Sequence, residues 1–402
     1  MNHNMIRRAP AASQDELSQA ATVMAGFADR NPNLVRRLGL PLGDPAAWIQ
    51  LPASHAKANQ TIGIVRDLEM DRTRQTKAVD QLHCPADFEN DTRKFDADRE
   101  TAVMQSLAAC LQDHGINHVI GDRSLPFIAV SQLAEAGIGV TLDGQLGVID
   151  RRSKTSTEIA ALRVAQSVTE EVMQEICRMI AMADADGDGC LVVDGTPLTS
   201  DSVRNLAAVK FMQRGFTMTH GAIVAGPPES GDCHHAGAGP LRTGVPIIVD
   251  LFPRDESTRY NGDCTRTVVH GTASDEVLAM HAAVVAAKSA SEAQLVTGRT
   301  AESVHLIAQD VLMQHGYELH RGEITDEPSI QHGLGHGIGL EVHEPILLDH
   351  GGGEMLAGEV FTIEPGLYGR RTGGVRLEDM LIVTDDGPEN LNRLPMGLSW
   401  NA

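Results

Sequence analysis

The chain has 402 residues, enough for two domains or one large α/β unit with an extension. Its 33 Lys and Arg against 54 Asp and Glu leave a formal charge of −21, which argues against nucleic acid and anionic membrane as partners. With 42% hydrophobic residues it can build a large core, made from aliphatic side chains because aromatics are only 3%, and no apolar run approaches the roughly 20 residues of a membrane helix.

The N-terminus, MNHNMIRRAPAASQDE, carries Arg7 and Arg8 with no apolar stretch behind them, so it does not read as a secretory signal. Six cysteines at 84, 110, 177, 190, 233 and 264 show no CxxC or finger spacing. That pattern reads as reduced thiols and a cytoplasmic protein.

The first fifty residues carry little pattern. IGIV (62–65) is β-like. In 99–115, Val103, Leu107, Cys110 and Leu111 recur at helical spacing and Gly115 stops the run. NHVIGD follows as a strand and PFIAVSQLAEAG as a helix ending at Gly137. Strand–helix alternation predicts a small α/β domain over 1–150. At RRSKTSTE the chain turns polar, and the apolar face Ile159, Leu162, Ala165, Val168, Val172, Ile176, Ile180 predicts a long helix capped by Thr155 or Ser156. The second domain, 151–402, starts there.

Within it VPIIVD (245–250) and DCTRTVV (263–269) read as a hairpin, followed by helices at 275–296 and 300–315, the latter capped by Thr300. EVFTIE (359–364) and GVRLEDMLIV (374–383) read as two more strands. Asp250 to Glu364 is 114 residues and Asp263 to Glu378 is 115, the register of an internal pseudo-repeat. Each of these strands has one apolar side and one side carrying a carboxylate; Arg376, Glu378 and Met380 share a face in the last. One such strand alone reads as an amphipathic strand with its acid in water. Four in one domain read differently, because converging buried carboxylates repel and take up protons unless a divalent cation lies between them.

QHGLGHGIGLEVHE (331–344) adds His332, His336 and His343 among glycines at 333, 335, 337 and 339, a pattern unfit for a helix and suited to close backbone approach. In an extended segment His332 and His336 share a face, and His343 falls opposite unless the chain bends. Other patterns carry no site. DADGDGCLVVDG (184–195) imitates a calcium loop but has Gly195 where the bidentate Glu belongs, and reads as a polar turn. There is no HExxH, no phosphate loop and no dinucleotide fingerprint, and GRRTGG (369–374) is a short basic loop.

Residues 151–384 resemble the creatinase/aminopeptidase (M24, pita-bread) metallopeptidase family, in its Xaa-Pro aminopeptidase and prolidase branch. The resemblance rests on VDLFPRDESTRYNGDCTRT, HGLGHGIGLEVHE, TIEPGLY and GVRLED. It implies an α+β pita-bread catalytic domain with internal two-fold pseudo-symmetry, behind a smaller α/β N-terminal domain. It further implies two divalent metal ions bound by Asp250, Asp263, His336, Glu364 and Glu378, with Asp263 and Glu378 bridging both. A hydroxide bridging such ions is a nucleophile at neutral pH. Glu364 would shuttle a proton to the leaving nitrogen, His343 would support the tetrahedral intermediate, and Arg376 would brace the Glu378 region. His234 and His332 match substrate-side positions, although His235, next to His234, is exchangeable with it at this stage. The Asp250–Asp263 loop is two residues longer than is usual in the family, an even insertion that keeps the faces of the strands. Manganese suits the carboxylate-rich set, with cobalt, iron and zinc open. The implied activity is a dinuclear exopeptidase cutting between an N-terminal residue and proline, in dipeptides or longer peptides, as a cytoplasmic homodimer. A non-peptide C–N hydrolase of the same fold, creatinase-like or acting on cyclic amidines, is the alternative, and a silent binding domain a weaker one.

Overall fold

The computed structural model describes residues 13–401, so most of the arginine-bearing N-terminal stretch lies outside it. The described residues divide between Ile149 and Asp150 into two compact units. The first holds a six-stranded sheet in the order Gln81–His83, Thr61–Ile64, Pro45–Gln50, Ala21–Phe27, His118–Gly121, Gly139–Leu142. Ala21–Phe27 pairs antiparallel with Pro45–Gln50 and parallel with His118–Gly121. Two of the inner strands therefore lie in the stretch with little sequence pattern, because ATVMAGF and PAAWIQ are alanine-rich and buried on both faces, without alternation. The helix Arg99–Asp113 lays Val103, Leu107 and Leu111 onto Val23, Ile49 and Ile62.

The second unit is built twice over. In its first half the helices Ser156–Ala181 and Ser200–Met212 share a core with the sheet Ala222–Ala225, Pro246–Leu251, Cys264–Val269. In its second half Asp275–Glu292 and Ala301–Gln314 share another core with Phe361, Ile363, Val375 and Leu381. Thr155 caps the long helix in a capping box with Glu158, and Thr300 caps Ala301–Gln314. Each fully buried aliphatic side chain in these cores is worth about 1.5–3 kcal/mol of transfer free energy.

The final strand differs from its sequence reading. GVRLEDMLIV is two strands in two sheets: Gly373–Arg376 pairs with Gly366–Gly369, and Asp379–Ile382 pairs with Val360–Ile363. Leu377 and Glu378 form the break, where Glu378 bridges to Thr265 of the first half. The alternation survives on either side of it, with Leu377 and Leu381 in one core and Met380 in another. The acidic 184–195 segment is a turn inside a small three-stranded sheet, where Asp186 Oδ1 accepts from Asp188 and Cys190 backbone N–H groups. No helix among the described residues is long and apolar enough to cross a membrane.

Candidate metal centre

Pro246–Leu251 and Cys264–Val269 are paired so that Asp250 faces Thr265, with Asp263 just ahead of the second strand. Glu378 comes to the same place from the other half: its N–H donates to Thr265 O at 3.0 Å, and Thr265 Oγ1 donates to its Oε2 at 2.7 Å. Gly335–Gly337 brings His336 in, and Glu364 follows Val360–Ile363, with its N–H donating to Leu334 O at 2.8 Å. The alternating glycines reflect packing of protein on protein. A β-carbon on Gly337 would lie 2.9 Å from the carbonyl oxygens of Glu344 and Pro345, so a residue with a side chain would push these strands apart.

Ligand atoms of Asp263, His336 and Glu378 lie within 4.8 Å of one another. His336 Nε2 is 3.8 Å from Asp263 Oδ2 and 3.6 Å from Glu364 Oε1. Asp250 is reached through Arg376, whose Nη2 donates to Asp250 Oδ2 at 2.6 Å and whose Nε is 3.9 Å from Glu364 Oε2. The chain does bend after His336: His343 returns with its ring centroid 4.3 Å from that of His336, edge to face. His332 stands outside the strand, with Nε2 2.6 Å from Tyr368 Oη and Nδ1 2.7 Å from Gly333 O. His234 is exposed on a neighbouring loop, and burial holds His332 and His343 below the usual imidazole range. His235 is spent locally, accepting from Gly237 N–H at 3.0 Å.

The electrostatics show a site built for cations. Burial, and then repulsion from Glu378, Asp250 and Glu364, hold the Asp263 carboxyl well above the usual range. Glu378 is raised in the same way by burial and by Glu364 and Asp250. Burial lifts Glu364 to about 7 against the pull of Arg376. Burial, with help from His343, drops His336 to about 3, so its ring is neutral. Its Nδ1 faces the Gly337 carbonyl at 3.1 Å, which can only accept, so Nδ1 carries the hydrogen and the Nε2 lone pair points into the space between the carboxylates. Asp250 Oδ1 and Asp263 Oδ1 are buried with no hydrogen-bond partner. Buried carboxylate oxygens are rarely left so, and free oxygens beside a neutral imidazole are what divalent ions take as ligands.

Four supporting residues escaped the sequence reading. Gln166 grips the Asp263 backbone from both sides, accepting from its N–H at 2.9 Å and donating to its carbonyl at 2.7 Å. Asn392 Oδ1 accepts from the same Gln166 amide at 2.9 Å. Tyr368, fully buried, links His332 to Arg376 Nη1 at 3.0 Å, and Thr265 holds Glu378. Gln166 had a legible signal, a polar residue on the apolar face of its helix, while Tyr368 stood in TIEPGLY without a role. Two other groupings are weaker as metal sites. In His305–Asp349–His350 the carboxylate is committed to Arg321, and in Asp232–Cys233–His234 burial pushes the thiol up to about 11.

The sequence matches metallopeptidase family M24 across residues 160–385. It is 30% identical over 278 residues to a probable dipeptidase PepE of Mycobacterium bovis, covering 68% of this chain and 67% of that one. It is 36% identical over 154 residues to an Xaa-Pro dipeptidase of Pyrococcus horikoshii, 38% of this chain and 41% of the other. In fold it is similar to an Xaa-Pro dipeptidase from Bacillus anthracis, with a TM-score of 0.76 at 21% identity over 96% of each chain. The matched span holds both halves of the pita-bread fold and every carboxylate of the cluster, and the chain belongs to metallopeptidase family M24.

Proposed function

We propose that the protein is a metal-dependent exopeptidase that hydrolyses the bond between an N-terminal residue and proline. The observation that carries this reading is the buried cluster itself: carboxylates from both halves, a neutral His336 and two unpartnered aspartate oxygens. The Xaa-Pro dipeptidases among the similar proteins supply the substrate class.

In this reading Asp250, Asp263, His336, Glu364 and Glu378 would hold two divalent ions. Bound there, the ions would supply Lewis-acid activation of a water nucleophile at neutral pH. Glu364 would accept a proton from the attacking water and pass it to the leaving nitrogen. His343, beside His336, donates to the oxyanion that develops on the scissile carbonyl. Arg376 holds Asp250 in its orientation, and His332 and His234 line the substrate side. Manganese is the proposed metal, because hard oxygen donors outnumber the single imidazole. The proposed compartment is the cytoplasm, in line with six free cysteines, and the proposed assembly is a homodimer.

The test is hydrolysis of Ala-Pro, Ala-Pro-Pro, Ala-Ala and Gly-Gly-Gly by metal-depleted protein with and without manganese. Manganese-dependent cleavage only before proline supports the reading, and the ratio of dipeptide to tripeptide rates identifies the branch. Bound manganese with no cleavage of any peptide would move the assignment to a small-molecule C–N hydrolase.

A further inference from the structure

His332 is fixed by the segment that carries it. Both ring nitrogens are engaged, and since the Gly333 carbonyl only accepts, the ring hydrogen sits on Nδ1 while Nε2 accepts from Tyr368. The orientation of the Gly333 peptide therefore sets the tautomer and plane of His332. The Asp349 carboxylate packs against Gly333: a β-carbon there would lie 2.8 Å from both its Cγ and its Oδ2. Asp349 is itself held on every side. Arg321 Nη1 donates to Oδ1 at 2.6 Å, Nη2 donates to Oδ2, and His350 N–H donates to Oδ1 at 2.7 Å. Backbone bonds bring both partners to this place. Leu334 N–H donates to Leu348 O at 2.9 Å, and on the other side Gly322 N–H donates to Gln331 O at 3.1 Å. Behind the segment lies a narrow cavity with room for about one water, lined by His305, Leu334, Pro365, Gly366 and His332 itself. An unbraced segment has somewhere to go.

We propose that Asp349, locked by the Arg321 fork, is a positioning residue for His332, acting on substrate through the Gly333 peptide and not by contact. The inference rests on His332 facing the substrate, as in the reading above. Arg321 is 45% exposed at its side chain whereas Asp349 is only 12% exposed, so Arg321→Gln is the variant that tests the brace at the smaller cost to folding.

The experiment compares wild type, Asp349→Asn and Arg321→Gln, each also combined with His332→Ala, as manganese-loaded enzymes on an Xaa-Pro dipeptide. Either single change should raise KM about tenfold and leave kcat within about threefold, as a slightly misplaced positioning group does. In the His332→Ala background the same changes should add less than about twofold, because residues acting through one another are not additive. Unchanged KM, or an equal loss with and without His332, would overturn the proposal. Arg321→Gln keeps the Asp349 side chain and guards against an Asp349 variant that folds poorly. Imidazole 15N shifts of the metal-free protein give a second readout: the Nδ1–H tautomer of His332 in wild type, and its loss in Asp349→Asn. A wild type that cleaves no Xaa-Pro peptide but shows this tautomer change would sink the peptidase reading and leave the brace standing.

Discussion

At the scale of single residues, the site divides into groups that touch the reaction and groups that hold them. Glu364→Ala and His336→Ala each remove a proposed metal ligand, so turnover should fall at least a thousandfold on the scale of lost general-base and electrostatic groups, with the circular dichroism spectrum unchanged. A variant retaining most of its activity would remove the metal assignment. Gln166→Ala should act at one remove. It frees the Asp263 backbone at both its N–H and its carbonyl, and supporting partners of this kind are worth roughly 10–100-fold in metal affinity. Titration of manganese into the metal-free variant checks this, and an unchanged affinity would show that Asp263 needs no such grip.

At the scale of elements, the break at Leu377–Glu378 has its own support. Arg266, with no exposed surface, donates to Glu378 O and to Asp379 Oδ1 at 2.7 Å, and Lys288 Nζ donates to Asp379 Oδ2 at 2.6 Å. Burial opposes the charge on Asp379, but the two cations hold its carboxyl below the ordinary value. Asp379→Ala leaves two cations without their shared partner and should cost about 3–5 kcal/mol in urea unfolding. A loss under 1 kcal/mol would mean that other groups take over the cations. These elements also show what local sequence can carry. The helices at 156–181 and 301–314 were legible because their apolar spacing and caps lie within the element. The carboxylates and histidines of the centre were legible because strand alternation and glycine density mark them, and the motifs they stand in resemble a known family. The break after Arg376 was not, since it exists to pair Glu378 with Thr265, 113 residues away, and such contacts leave no periodic trace. The two alanine-rich strands near the N-terminus lacked alternation for a related reason, being covered on both faces.

At the scale of the whole molecule, metal and protons compete for the same carboxylates. Asp263, Glu364 and Glu378 are raised in the folded state, so each contributes stability below its unfolded pKa near 4 that is lost as pH rises toward the folded value. His336 is already neutral across this window, so only the acids must give up protons to a cation. The rise in Tm on adding manganese should therefore grow between pH 5 and pH 8; a rise of equal size at both would rule out proton displacement from these acids. The second unit has a further property that follows from where the proposed ligands come from. Asp250 and Asp263 belong to the half ending at Val269, whereas His336, Glu364 and Glu378 belong to the half that starts at Asp275, and the exposed link at Gly271–Thr272 joins them. Nicked at that link, the protein becomes two pieces, neither holding the whole proposed ligand set. The halves also meet through the buried Arg266–Asp379 pair and through Trp400 in the core of the first, so the pieces should stay together in a chelator and manganese should raise the temperature at which they part.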